Sequence, residues 1–322
     1  MKVLSGMLTS LLSLGLAGGA QAQADWPKGA ITLVVPYAPG GYTDAVGRIT
    51  ARYLEGSLAV PVVVENRAGA GGIVGTHYVS RAKPDGHVLC VCSVGAVSVA
   101  PLAQKVQYDP LKDLAPISIV STIPQTVIVR NGLPIRSVAD LIAHAKANPG
   151  KLTYGSSGAA GLMHYSVALF QVRTGTQLTH VPYKGGAPAT LAVVAGEVDL
   201  SFTNMTDALP QMEANTVRGI AVTSRERSPF APSLPTLGEA GVQNLASETW
   251  NGIIAPAGTP EPILDRLAKV FAAMAKDEGV VKAMANVGAT TVAITPAQYR
   301  QQIAQEMKQW SELVNEFKNS SK

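Results

Sequence analysis

Three short stretches of this chain concentrate the residue types that hold a small anion without placing a cation beside it. They are Tyr37 to Asp44 (YAPGGYTD), Asn66 to Gly72 (NRAGAGG) and Gly155 to Ala159 (GSSGA). Each lies just past the carboxyl end of a run that reads as a β-strand, where open α/β sheets take their ligands. Glycine lets the backbone come close to a ligand, and the start of the following helix offers unpaired N–H groups and a positive dipole end. Thr43, Ser156 and Ser157 add hydroxyl donors, and Arg67 stands at the edge of its loop. This combination describes a site for a carboxylate held by amides and hydroxyls. Tight strand-to-helix turns use the same residues, an alternative weakened by finding three of one kind. Tyr42 follows Gly41 directly, so its ring is expected over or beside the cleft, offering an apolar face with a polar tip. That would suit a ligand larger or flatter than a four-carbon amino acid. A ring covering the helix start or turned to solvent is the competing expectation.

Enzyme motifs fail residue by residue. Gly69-x-Gly71 is followed three residues later by Val74, which misses the dinucleotide glycine pattern. Gly155 to Ala159 lacks the spacing of a nucleophile elbow. His164 is near Ser157 in sequence, and a serine hydrolase built on that pair is a remote alternative; His164 is expected to sit in the next helix and bond locally. His77, His87, His144 and His180 share no metal-ligand spacing. No catalytic residue, metal or cofactor is expected.

The elements that must position these loops alternate short apolar runs with helical patterns, the signal of a parallel-rich α/β architecture. Strands are expected at Ile31 to Val35, at Val62 to Glu65 and through Val88 to Cys92. Between the first two runs a helix, capped by Thr43 or Asp44, should stop at Gly56. After Ile117 to Val120 and Thr126 to Val129 the pattern restarts. A helix capped by Ser137 ends before Pro149-Gly150, Leu152 to Tyr154 runs into the serine loop, and a helix starting near Pro188 ends at Gly196. Strands follow at Asp199 to Phe202 and Val217 to Thr223. Two amphipathic helices, about 261–275 and 296–317, close the chain, the second capped by Thr295. A restarted pattern predicts two lobes, each a mixed sheet flanked by helices, joined by crossing strands near 117–130 and 217–224. The expected division is 25–123 and 224–322 for the first lobe and 124–223 for the second.

Lys2, an apolar run over Val3 to Ala17, and the small-x-small triplets Ala20-Gln21-Ala22 and Ala22-Gln23-Ala24 read as a cleavable export signal over 1–24. The run is about 15 residues, short of the roughly 20 that span a bilayer. Cleavage would leave 25 basic against 22 acidic residues, scattered without an Arg-rich block, which argues against nucleic acid as a partner. Cys90 and Cys92 alternate onto one face of their strand, and a bridge would have to bend it, so two buried free thiols are expected.

Several segments, in order along the chain, resemble the Bug family of tripartite tricarboxylate transporter receptors. They are Pro36 to Gly41 with Asp44, Glu65-Asn66-Arg67-x-Gly69 to Gly72, Pro84-Asp85-Gly86, Tyr154 to Gly158, His180 to Gly185, Ala221 to Ser224 with Arg227, and Ala255 to Pro260. The resemblance implies a type II periplasmic-binding-protein fold, an α/β molecule of two lobes closing on a carboxylated small molecule, which a membrane permease then takes. It maps the carboxylate loops onto Tyr37 to Asp44 and Ser156 to Ala159. It also implies an exported, periplasmic, monomeric binding protein rather than an enzyme. A ligand-sensing subunit for a membrane signalling partner is the alternative within the same fold. Many relatives carry a small residue or Pro in place of Tyr42, and Gly-Ser in place of Ala160-Gly161, so no particular relative's ligand transfers. The candidate ligand contacts are Tyr37, Ala38, Pro39, Gly40, Gly41, Tyr42, Thr43, Asp44, Asn66, Ala70, Gly71, Ser156, Ser157, Gly158 and Ala159, with Tyr183 and Asn204.

Overall fold

Alternating apolar residues give the first strands two buried faces. In the computed structural model, which describes residues 26–320, β1 (Ile31–Val35) leads through α1 (Tyr42–Leu58) to β2 (Val62–Asn66), and through α2 (Ile73–Ser80) to β3 (Val88–Ser93). β1 lies between β2 and β3 and runs parallel to both. Ile31, Leu33 and Val35 pack with Val46 and Leu54 of α1 on one side, whereas Val34 packs with Cys90 and Cys92 on the other. The export signal expected over 1–24 lies outside the described residues.

One long strand, β4 (Leu114–Arg130), carries the chain from this sheet into a second. The two separate runs expected around residues 117–129 are parts of it. The second sheet follows as α3 (Val138–Ala147), β5 (Thr153–Ser156), α4 (Leu162–Thr174), β6 (Thr179–Pro182), α5 (Gly186–Ala195), β7 (Leu200–Asn204), α6 (Met205–Glu213) and β8 (Val217–Val222). β5 pairs in parallel with β6 and β7, and β7 and β8 flank the second half of β4 in antiparallel fashion. Tyr154, Phe170 and Phe202 fill that lobe's core. The chain then returns to the first sheet as β9 (Glu248–Pro256), antiparallel to both β3 and the first half of β4. It ends with α7 (Glu261–Met274), α8 (Glu278–Asn286), β10 (Thr290–Thr291) and α9 (Pro296–Ser320). Pro124 is the last β4 residue paired with β9 and Gln125 the first paired with β7. The amide that proline lacks therefore falls where the strand changes partner.

Four local expectations need correction. β8 does not cross between lobes: it pairs only within the second sheet, and Leu237, Val242 and Leu245 beyond it still pack in the second core. Neither Thr43 nor Asp44 caps α1, because Gly41 occupies the cap position and the helix runs on past Gly56 to Leu58. Tyr42 does not lie open on a cleft; it is 1% exposed in the first core, with its hydroxyl 2.9 Å from Ser121 Oγ. Cys90 and Cys92 form a disulfide rather than two free thiols. Their Cα atoms are 5.3 Å apart, against about 6.6 Å for two residues of a regular strand. The strand contracts locally to admit the bridge, while pairing with β9 continues through both residues. Two caps agree with expectation: Ser137 Oγ accepts the Asp140 N–H at 3.1 Å, and Thr295 Oγ1 accepts the Gln298 N–H at 3.2 Å.

Where the passages between lobes meet, buried polar groups tie them together. The Thr223 N–H donates to Gln125 O (2.9 Å) and the Gln125 N–H to Thr223 Oγ1 (3.1 Å). The Thr223 hydroxyl donates to Ser247 O (2.5 Å), and the Ser247 N–H donates back to Thr223 O (3.0 Å). All three residues are buried. Replacing a hydroxyl here with a methyl strands a buried N–H and a carbonyl, each at a cost of about 1–3 kcal/mol. Thr223→Val, nearly isosteric, is expected to lower stability by about that amount in urea unfolding. An unchanged midpoint would show that the knot contributes nothing.

Candidate functional site

The Tyr37 to Asp44 loop is held in shape by its own polar groups. Asp44 accepts from Arg48 Nε (2.9 Å) and Nη2 (3.1 Å), from Asn66 Nδ2 (2.9 Å) and from the Gly40 N–H (3.0 Å). Burial raises the proton affinity of this carboxyl, but these bonds outweigh it and hold the pKa below the ordinary carboxylate value. Asn66 also donates to Tyr37 O at 3.1 Å. The Tyr37 hydroxyl donates to Gly71 O (2.9 Å) and lies 2.7 Å from Ser93 Oγ, and burial pushes its pKa up to about 12. Asn66 and Gly71 therefore support the site by positioning Tyr37 and its loop.

The second lobe approaches from the other side. Ser156 and Ser157 part company. Ser156 is fully buried, with Oγ 2.6 Å from His180 Nε2 and bonded to both the N–H and the carbonyl of Gly158 at 3.2 Å. It tightens the turn, while Ser157 faces the space between the lobes. The lobes touch there. Ala38 N–H donates to Lys184 O at 3.0 Å, and a Cβ on Gly158 would stand 2.6 Å from Gly71 N. Gly158 has φ +126°, so both its conformation and its neighbour exclude a side chain.

Between the lobes lies a cavity of about 30 Å³ lined by Tyr37, Ala38, Gly41, Tyr42, Thr43, Asp44, Ser93, Ser157, Leu162, Met163, Gly186, Asn204, Asp207 and Thr249. Eight of the expected contacts are in this lining. Pro39, Gly40, Asn66, Ala70, Gly71, Ser156, Gly158, Ala159 and Tyr183 are not; Tyr183 instead points its hydroxyl at Glu197 Oε2, 3.3 Å away. Thr43 Oγ1 donates to Asn251 Oδ1 (3.2 Å), and Thr249 Oγ1 to Asn204 Oδ1 (2.8 Å), so β9 lies behind both. The residues missed by sequence are Ser93, Leu162, Met163, Gly186, Asp207 and Thr249. Ser93 and Asp207 lie at or just after the carboxyl ends of β3 and β7, the same signal that found the other loops.

Asp207 is buried in the first turn of α6. Its Oδ2 is 3.4 Å from Thr203 Oγ1, and Oδ1 has no hydrogen-bond partner. Burial pushes its pKa up to about 7, only partly opposed by Thr203 and by the Tyr42 N–H that faces it from α1. The histidines take no part in this cavity. His164 Nδ1 meets the Tyr154 hydroxyl at 2.8 Å, and its ring lies 4.1 Å from that of His180. Burial, with repulsion from His180, holds His164 at about 3; burial alone holds His180 at about 4. The serine–histidine contact present is thus Ser156–His180, with the serine inaccessible, and Ser157 is not paired with His164. Among the described residues no cluster of His, Cys, Asp or Glu is arranged to hold a metal, and no helix is long and apolar enough to cross a membrane. A wider groove of about 650 Å³ runs along Ser224 to Phe230 and α9, and includes nothing from the three loops.

A family model for the tripartite tricarboxylate transporter family receptor matches residues 46–318. The chain belongs to that family. Protein BugT of Bordetella pertussis is 35% identical over 95% of this chain and 94% of its own. Among solved structures, Rpa4515 of R. palustris with adipate superposes with a TM-score of 0.88 at 33% identity, covering 91% of this chain and 98% of that one. MatC from Rhodopseudomonas palustris with bound malate gives 0.86 at 29% identity, covering 90% and 100%. These similarities establish the two-lobed periplasmic-binding-protein fold and a receptor family whose members bind carboxylates.

The raised pKa of Asp207 has a signed consequence. The closed fold holds its proton more tightly than the unfolded chain, so the associated stability is full below about pH 4 and is lost as pH rises through about 7. The ceiling is about 4 kcal/mol, and parting of the lobes hydrates the carboxyl and lowers it. Asp207→Asn should therefore melt progressively higher than the parent as pH goes from 5 to 8. Parallel melting curves across that range would contradict this assignment.

Proposed function

We propose that this protein is an exported, periplasmic receptor that closes two lobes on a small carboxylate and hands it to the membrane permease of a tripartite transporter. It would act as a monomer, without a cofactor and without covalent chemistry. The observation that carries this reading is that one cavity receives the start of α1 from one lobe and Ser157 from the other. The N–H groups at a helix start and a hydroxyl together suit a carboxylate oxygen. The adipate and malate bound by two relatives support the same ligand class.

The described residues then divide into a first lobe of 26–123 and about 247–320 and a second of 124–246, a division supported by Leu237, Val242 and Leu245 packing with the second core. The present cavity of about 30 Å³ has room for one or two waters, against about 300 Å³ or more for ligand pockets. Binding therefore requires the Ala38–Lys184 and Gly71–Gly158 contacts to loosen, through rotation about the crossings. The sensing alternative shares this capture step and differs only in the membrane partner. Deletion of the gene would abolish growth on the ligand under the transport reading and leave it intact under the sensing one.

A hydrogen bond to a charged group contributes about 1.5–3 kcal/mol, or roughly 10- to 150-fold in affinity. Calorimetric titration of a carboxylate panel should show a loss of that size in Ser157→Ala with apo melting unchanged. Ser156→Ala should show the opposite pattern, losing about 1 kcal/mol of apo stability through its turn bonds with affinity largely kept. Unaltered affinity in Ser157→Ala would remove that hydroxyl from the binding mechanism.

A further inference from the structure

The charge balance of the cavity bears on what the carboxylate carries with it. Asp44 and Asp207 are the charged residues among the described lining, and no Lys, Arg or His joins them. Asp44 is accounted for: the Arg48 guanidinium balances it, and Asn66 and Gly40 fill its remaining acceptor positions. Asp207 is different. It is 7% exposed, no cation among the described residues pairs with it, and apart from the Tyr42 N–H that faces the carboxyl from α1, Oδ1 meets no donor in hydrogen-bonding geometry. A buried carboxylate oxygen with its acceptor capacity unfilled is costly.

The surroundings make room for this group instead of satisfying it. A Cβ at Gly41 would stand 3.3 Å from Oδ1, and one at Gly186 would collide with Oδ2. Glycines from both lobes thus leave the carboxyl at the seam, facing the cavity that also contains Ser157 and the start of α1. A plain di-acid would bring its second negative charge beside Asp207, where only a proton held on that carboxyl could offset it. A ligand bearing an N–H donor at one end would supply what Oδ1 lacks, while its carboxylate takes the donors at the other.

We propose that Asp207 determines ligand selection, with Oδ1 accepting from a ligand ammonium, so that the receptor prefers a small amino-carboxylate to the di-acid of the same carbon skeleton. The proposal rests on the carboxylate-receptor reading above and adds the second recognition point. Asp207 touches the ligand directly in this arrangement, as a specificity determinant.

The test is calorimetric titration of the mature protein with two matched pairs, L-aspartate against succinate and L-glutamate against glutarate. Wild type should favour the amino member of at least one pair by roughly 10- to 150-fold, the range of a charge-assisted hydrogen bond. Asp207→Asn should reduce that ratio to within a few-fold of unity, with apo melting confirming that the variant is folded. Di-acid binding with no amino preference in wild type overturns the inference while leaving the receptor reading intact, and needs no variant to be interpreted. A preference that survives Asp207→Asn overturns it as well. Absence of binding by every member of both pairs would count against the carboxylate-receptor reading itself, and the inference would fall with it.

Discussion

The geometry of this molecule depends on how few chain passages join its lobes and on how those passages are tied. β4 contributes one half to each sheet, and the return at Ser247 lies against Gln125 and Thr223. The buried hydrogen bonds among these three residues fix where the two sheets meet. In a low-dielectric interior such bonds gain strength, and an unpaired member costs more than it would in water. Both half-sites are therefore referred to one fixed point. The loops of the first lobe and Ser157 of the second can meet only because both hang from it.

Within the cleft, the division of labour among polar groups follows from desolvation. Groups close to the loops are satisfied internally: Asp44 by Arg48, Asn66 and Gly40, Tyr37 by Gly71 and Ser93, Ser156 by Gly158 and His180. These bonds make the loops rigid before any ligand arrives, which lowers the ordering cost of binding. Ser157 and the helix start remain turned inward, and the Asp207 carboxyl meets only Thr203 and the Tyr42 N–H. Closure here brings backbone against backbone at Gly71 and Gly158, an approach that side chains would prevent.

Much of this was legible from residue order. The strand-to-helix switches after β1, β2 and β5 were found because β-branched runs ending in glycine leave few other readings, and the caps at Ser137 and Thr295 followed from side-chain chemistry. The second crossing was not legible. Residues 224–247 carry no helical or strand period, and only packing shows Leu237, Val242 and Leu245 in the second core. Adjacent serines are equivalent on paper, and the turn decides that Ser156 points inward and Ser157 to the cavity. The disulfide required a strand contraction that local propensity does not announce. Tyr42 has loop-like neighbours that suggest an open ring; the residue does border the cavity, but Ser121 on β4 draws its hydroxyl into the core. Asp207 sits after a strand that was recognised, but a lone acid in a helical first turn usually signals capping chemistry.

The central claim is that two lobes move about the crossings and are held together by a ligand shared between them. Spin labels at Val63 of β2 and Leu191 of α5, both exposed and in different lobes, would report it as a distance distribution by pulsed electron resonance. Without ligand the distribution should be broad; a saturating carboxylate that binds by calorimetry should collapse it to one narrow peak, shorter than the ligand-free mean. A distribution unchanged by such a ligand would contradict closure as the basis of binding.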